Sequence, residues 1–207
     1  FSFSWPLILL PGILLSPIDS SEYRLGFTWF MRWGIFPGFM VYLTLFIWNF
    51  CKLYKQNLPQ KFPQGRYSLY GSMLLIIIGM TFGAFIEGSD LRIPGHYHAS
   101  IGGITVAFMG VSLAFLTNDN QIFKLLRKAI QVYVPGQILF SSGMFAAGYF
   151  GVERKTYGAG LIIQTSSQKI SFMILGIGGV VAFIGGALFF IAFIKVLRAN
   201  WNGNKSS

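Results

Sequence analysis

The uncharged run SFMILGIGGVVAFIGGALFFIAFI, residues 171–194, decides the fold class of this chain. About 20 apolar residues in a helix cross the hydrocarbon core of a bilayer, and this run is longer than that. The run is also rich in glycine, which lets neighbouring helices approach closely. It therefore predicts a transmembrane helix that packs against other helices.

Other apolar runs recur along the 207 residues, of which 54% are hydrophobic and 11% charged. A soluble domain is about 25% charged, so the composition favours a membrane protein. We expect full spans at about 27–51, 68–87, 96–117, 129–150 and 171–197, and a short leading apolar segment at 5–16. The sequence thus predicts an all-α, polytopic transmembrane helix bundle, with residues 1–207 forming one integral membrane domain.

The basic residues divide unequally between the two sets of predicted loops. One set holds Lys52, Lys55, Lys61, Arg66, Lys124, Arg127, Lys128, Lys195, Arg198 and Lys205, against the single acid Asp119. The other set holds Arg24, Arg32, Arg92, Arg154, Lys155 and Lys169, against Asp19, Glu22, Glu87, Asp90 and Glu153. The positive-inside rule makes the first side cytoplasmic and places the C-terminus inside. The net charge of +10 therefore reports orientation and does not indicate a nucleic-acid partner.

His96 and His98 are the only histidines and stand two residues apart at the start of a predicted span. A helix turns about 100° per residue, so side chains at this spacing point to nearly opposite sides. The two imidazoles cannot share one ligand on one face, but each can serve a site on its own side. Two hemes flanking one transmembrane helix would use this arrangement. Polar side chains satisfied between packed helices are the alternative.

Three segments carry a resemblance to a known family. PGHYH at 94–98, followed by Thr105 and FMG at 108–110, resembles the tenth helix of subunit I of the heme-copper oxidases. GMTFG at 79–83 is similar to the turn in that family's ninth helix. GVERKTY at 151–157 resembles its loop between helices eleven and twelve. The resemblance covers about 27–197, corresponding to helices eight to twelve.

The resemblance implies one or two hemes and assigns roles to five residues. His96 matches the axial ligand of the high-spin heme, and His98 matches an axial ligand of the low-spin heme. Arg154 and Lys155 match two arginines that pair with heme propionates, where a lysine makes a point-charge contact in place of a bidentate one. Asp90 resembles an outer-loop carboxylate near the propionates. A solvated loop acid is the alternative for Asp90.

This chain lacks the histidines that form the copper site of the family. Copper there needs three histidines from helices six and seven, whereas this chain has two histidines in all. The leading segment aligns with the end of helix seven, and Leu14 and Leu15 then fall where the paired histidines would stand. We expect no copper ligand in this chain, so any oxygen reduction depends on a partner chain.

Three hypotheses of different class follow. The first is a heme-bearing C-terminal half of a split respiratory oxidase, which needs a partner chain and takes electrons from cytochrome c or quinol. The second is a non-catalytic heme-binding or anchoring subunit of a respiratory complex that has lost copper. The third is a heme-free scaffold or transporter. The resemblance implies other respiratory subunits and lipid as partners, in a prokaryotic cytoplasmic or mitochondrial inner membrane.

Overall fold

The computed structural model describes residues 14–55, 65–116, 120–155 and 163–203. Its helices in chain order are α1 (Ser21–Phe30), α2 (Phe36–Lys55), α3 (Arg66–Ala84), α4 (Arg92–Leu116), α5 (Asn120–Tyr149) and α6 (Ser166–Gly203). A π-helical turn, Met31–Ile35, joins α1 to α2. The described part of the chain is therefore all-α, as predicted. It also contains an isolated antiparallel β-bridge between the backbones of Asp90 and Glu153.

The chain divides into two compact units, Phe1–Lys61 and Phe62–Ser207. In the first unit, the Ser20 hydroxyl accepts a hydrogen bond from the backbone N–H of Tyr23 at 3.1 Å and so caps α1. The π turn comes just before Pro37, which has no N–H to donate into the helix. Neither α1 nor the π turn buries a residue within this unit.

The second unit is a bundle of α3, α4, α5 and α6. Its core consists of the buried residues Leu75, Val106, Met109, Ile122, Leu126, Ile130, Val134, Ala192 and Val196. These residues come from all four helices. Because the first turns of α5 share this core with the last turns of α6, the two helices run antiparallel.

Glycine brings the backbones of α5 and α6 together. A Cβ atom added at any of four glycines would collide with backbone atoms of the facing helix. The facing pairs are Gly136 with Ala182, Gly143 with Leu175, Gly178 with Phe140 and Gly185 with Tyr133. The prediction that the glycine-rich last helix packs closely against a neighbour is confirmed.

Three helices of the described chain are long and apolar enough to cross a membrane: Ser21–Asn49, Arg66–Ala84 and Ser166–Ala199. The chain is thus a membrane-associated helical protein. The prediction of about five full spans is wrong, because the segments 96–117 and 129–150 do not qualify. The leading segment 5–16 lies mostly outside the described residues.

Composition explains why two of the expected spans fail. The helices α4 and α5 have 25 and 30 residues, so their length is sufficient. However, the described part of α4 begins with Arg92, His96 and His98, and the segment 129–150 contains Gln131, Pro135 and Gln137. A run of apolar residues interrupted in this way packs within a bundle but is less apolar than a lipid-facing span.

Candidate functional site

Two glycines of α3 make room for the start of α4. A Cβ at Gly83 would lie 2.8 Å from Nδ1 of His96, and a Cβ at Gly79 would lie 2.8 Å from the backbone nitrogen of Ser100. The first turns of α4 therefore rest on the GMTFG segment of α3. This contact fixes where the His96 ring lies.

The His96 imidazole is held by the backbone of α3. Its Nδ1 lies 2.6 Å from the carbonyl oxygen of Gly79. A carbonyl oxygen can only accept a hydrogen bond, so Nδ1 carries the proton and donates. In a neutral imidazole, the lone pair then resides on Nε2. In histidines that ligate metals, the nitrogen that does not bind the metal commonly donates to a backbone carbonyl in this way.

The His98 ring faces a different helix. It meets the edge of the Phe140 ring of α5, with centroids 5.1 Å apart at an interplanar angle of 82°. The backbone carbonyl of His98 accepts a hydrogen bond of 2.7 Å from Nε2 of the buried Gln137. Glycine at 102 permits this, because a Cβ there would lie 2.5 Å from Cγ of Gln137. The two imidazoles thus face α3 and α5 respectively, as their spacing predicts.

Arg92 holds the loop before α4 through several hydrogen bonds. Its guanidinium binds the Asp90 carboxylate through two nitrogens, with Nη2 at 2.7 Å and Nε at 3.0 Å from Oδ2. It also donates to the carbonyl of Phe85 at 3.0 Å and to the carbonyl of Glu87. The Asp90 carboxylate in turn accepts a 2.8 Å hydrogen bond from the backbone N–H of Arg92. One side chain therefore ties the end of α3 to the first turn of α4.

The Asp90 carboxylate is largely shielded, with a side chain 15% exposed. Burial by itself raises its pKa, but the hydrogen bonds and positive charge of Arg92 outweigh that effect and lower the pKa below its ordinary value. Asp90 is neither a solvated loop acid nor a free carboxylate. Its charge is already neutralised within the loop.

Arg154 and Lys155 lie in the loop after α5, whose backbone pairs with the loop before α4. The N–H of Leu91 donates to the carbonyl of Val152 at 3.1 Å, and the N–H of Arg154 donates to the carbonyl of Ser89 at 3.4 Å. Arg154 is half-buried and Lys155 is exposed, with a φ of 65°. The structure thus brings the loop carrying both cations to the same end of the bundle as Asp90 and the histidine pair.

A groove lies between α5 and α6 on the side of the His98 contact. Its volume is about 620 Å³, within the range of about 300–1,000 Å³ typical of small-molecule sites. Its lining residues are Tyr133, Gln137, Phe140, Gly179, Ala182, Phe183, Gly186, Ala187 and Phe190. Phe140 contacts the His98 ring, Gln137 binds the backbone of His98, and both line this groove. The groove is therefore an apolar space lined by two neighbours of His98, and not by His98 itself.

Two residues of the site have no counterpart among the sequence predictions. Arg92 stands two residues after Asp90 at the start of a helix. This spacing could have predicted an ion pair between the two side chains. Gln137 lies 39 residues from its partner His98, and the sequence holds no signal for that pairing.

The described residues contain no group of three or more His, Cys, Asp or Glu side chains arranged to hold a metal ion. Heme iron takes only one or two protein ligands, so this observation does not bear on heme. Leu14 and Leu15, which the family alignment sets at copper-ligand positions, are exposed apolar side chains without donor atoms.

The sequence matches no protein-family model and no solved structure. It is similar to an uncharacterized protein of Rickettsia prowazekii (strain Madrid E), with 33% identity over 132 residues. The match covers 57% of this chain and 25% of the relative, so the chain spans about a quarter of the relative's length. Because that protein is uncharacterized, the similarity transfers no activity to this chain.

Proposed function

We propose that the chain is a heme-bearing membrane subunit of a respiratory electron-transfer complex, similar to the C-terminal half of heme-copper oxidase subunit I. His96 and His98 are the proposed axial ligands, each for a heme on its own side of α4. A bound heme would supply an iron that accepts and passes on single electrons. The remaining roles belong to this chain's own residues.

The observation that carries the proposal is the hydrogen bond between Nδ1 of His96 and the carbonyl oxygen of Gly79, 2.6 Å long. It fixes the ring orientation and leaves Nε2 as the nitrogen that can donate a lone pair. Within the described residues, no hydrogen bond engages Nε2 of His96.

The second ligand position fits the same proposal. The His98 ring abuts Phe140, which lines the apolar groove of about 620 Å³ between α5 and α6. A flat aromatic macrocycle is compatible with walls made of aromatic rings and glycines. The groove walls would exclude water from such a ligand, and Phe140 and Gln137, which contact His98, belong to these walls.

The cationic loop gives the proposal an anchor for anionic groups. Arg154 and Lys155 lie on the loop paired with residues 89–91, near the end of the bundle where α4 begins. A propionate close to the membrane surface needs a cationic partner. Asp90 has no direct part in this binding, because Arg92 already neutralises it. Its role is to hold the start of α4 in position.

We further propose an orientation with the C-terminus and the α2–α3 connection in the cytoplasm of a prokaryotic cell or the mitochondrial matrix. Three crossings by the segments that are apolar enough would leave these two regions on one side of the membrane. The antiparallel pair α4 and α5 returns the chain to its starting side, so it does not change this result. The positive-inside rule favours the cytoplasm for this side. Its basic residues are Lys52, Lys55 and Lys61 before α3 and Lys195 and Arg198 at the end of α6.

Oxygen reduction at a heme–copper pair would need copper ligands from a partner chain, since both histidines of this chain serve heme in the proposal. Donor-free leucines at positions 14 and 15 favour the alternative of a non-catalytic heme-binding subunit. Cytochrome c or quinol remains the proposed electron source in either case.

Spectra of single histidine variants test the proposal. Reduced-minus-oxidised spectra of the purified complex should lose one set of bands in His96→Ala and a different set in His98→Ala. Ser100→Ala is the matched control, since Ser100 lies on the same helix and donates only to the carbonyl of His96. Identical losses in both histidine variants would mean one site, and unchanged spectra in both would exclude heme ligation by this pair.

A further inference from the structure

Two arginines converge on one tyrosine at the end of the bundle opposite the histidines. The guanidinium carbons of Arg127 and Arg66 lie 4.5 Å and 5.1 Å from the centroid of the Tyr67 ring. Arg66 also donates a 3.3 Å hydrogen bond to the Tyr67 hydroxyl. The ring attracts both cations, yet it cannot neutralise either of them. Two like charges are therefore held side by side.

Further cations surround this pair. Lys124 and Lys128 lie on the same part of α5 as Arg127, and all three are exposed. Lys195 and Arg198 are exposed on the last turns of α6, whose buried Ala192 and Val196 share a core with Ile122 and Leu126 of α5. We call Arg66, Lys124, Arg127, Lys128, Lys195 and Arg198 the basic end.

The acids of the described second unit lie elsewhere. Glu87, Asp90 and Glu153 lie beyond the far end of α3, whose 19 residues span about 28 Å. Glu87 and Asp90 both pair with Arg92, which lies at that same far end and not at the basic end. Asp119, next to α5 in the sequence, lies outside the described residues, and the six cations outnumber it.

The basic end lies where a membrane surface would be. It contains the first residue of the candidate span Arg66–Ala84, and Arg198 is next to the last residue of the candidate span Ser166–Ala199. Trp201 follows with a 67% exposed side chain, as is common for tryptophan at the headgroup level. A guanidinium fork at this depth matches the geometry and charge of a phosphate.

We propose that Arg66 and Arg127, supported by the other cations of the basic end, bind the phosphate headgroup of an anionic phospholipid. Clustered basic residues beside a membrane helix attract such headgroups. The aromatic ring of Tyr67 positions the two arginines, and the lipid phosphate compensates their mutual repulsion. This inference is independent of heme binding.

Lipid titration followed by native mass spectrometry tests this site. The full chain, purified with its complex and stripped of lipid, is titrated with phosphatidylglycerol or phosphatidylcholine. Wild type should bind phosphatidylglycerol more tightly, and the double variant Arg66→Gln/Arg127→Gln should lose about fivefold in that affinity per arginine. Arg24→Gln/Arg32→Gln removes the same charge from the first unit and should keep the preference. Circular dichroism checks the helical content of each variant.

The conservative double variant Arg66→Lys/Arg127→Lys keeps the test decisive if the glutamine variant does not fold. It should retain a preference for phosphatidylglycerol, with weaker binding than wild type because the fork geometry is lost. No preference in wild type, or equal losses in the first-unit control, would overturn the proposal. Full displacement by inorganic phosphate would also overturn it, since the site would then recognise free phosphate and not a lipid.

Discussion

Nδ1 of His96 and the carbonyl oxygen of Gly79 lie 2.6 Å apart and join α4 to α3 across 17 residues of sequence. The proton on Nδ1 leaves Nε2 as the available lone pair, so one backbone carbonyl determines which nitrogen can act as a ligand. The contact exists because Gly79 and Gly83 have no side chains in its way. The glycines of α3 are thus part of the site and not only of the packing.

We expect Gly83→Ala to disturb this relationship directly. The new Cβ would lie 2.8 Å from Nδ1 of His96, so the ring must move and its hydrogen bond to Gly79 must lengthen. Overpacking of this kind costs about 1–3 kcal/mol. Thermal unfolding in detergent should show a lower midpoint. Gly186→Ala is the matched control, because nothing lies within 4 Å of its added Cβ. Equal stability of the two variants would show that the His96 ring is not confined by α3.

The Arg92–Asp90 pair gives a pH dependence with a definite sign. Because the pKa of folded Asp90 lies below its ordinary value of 3.8, the pair stabilises the fold fully above that value. The stabilisation is lost as the pH falls through the lower folded pKa. Unfolding midpoints measured from pH 6 to pH 3 should therefore fall more steeply for wild type than for Asp90→Asn. A wild-type slope in Asp90→Asn would contradict this account.

Cys51 is a native reporter of orientation. It is the only cysteine, is exposed, and lies just beyond the candidate span Ser21–Asn49. In right-side-out membrane vesicles, a membrane-impermeant maleimide should label it only after permeabilisation, since we propose that this end faces the cytoplasm. Ser89→Cys in a Cys51→Ser background should be labelled without permeabilisation, because Ser89 is exposed in the loop at the other end of α3. The reverse pattern would invert the proposed orientation.

The sequence predicts the helices and the divergence of the two histidines well, because both follow from local periodicity. It does not predict the Gly79 carbonyl as a partner of His96 or Gln137 as a partner of His98, since these contacts join residues that are far apart in the chain. The resemblance predicts Asp90 near a propionate, and the structure pairs Asp90 with Arg92, two residues away.

The number of membrane spans is a second feature that the sequence pattern did not predict correctly. Length alone makes α4 and α5 resemble spans, but Arg92, His96 and His98 in α4 and Gln131, Pro135 and Gln137 in α5 interrupt their apolar runs. Small and polar residues in these helices serve contacts within the bundle, such as Ser100 against Gly79 and Gln137 against Gly102. Counting apolar runs does not distinguish a helix that packs within a bundle from a helix that crosses a membrane.

The central claim is that this chain holds heme through its histidine pair. The most direct measurement is a pyridine hemochrome assay, with metal analysis, on the complex purified by a tag on this chain. We expect iron in the form of heme at one or two per chain in wild type, and a loss of heme in His96→Ala and in His98→Ala while the complex stays assembled. A fully assembled wild-type complex without heme would contradict the account. Unchanged heme content in both variants would contradict it equally.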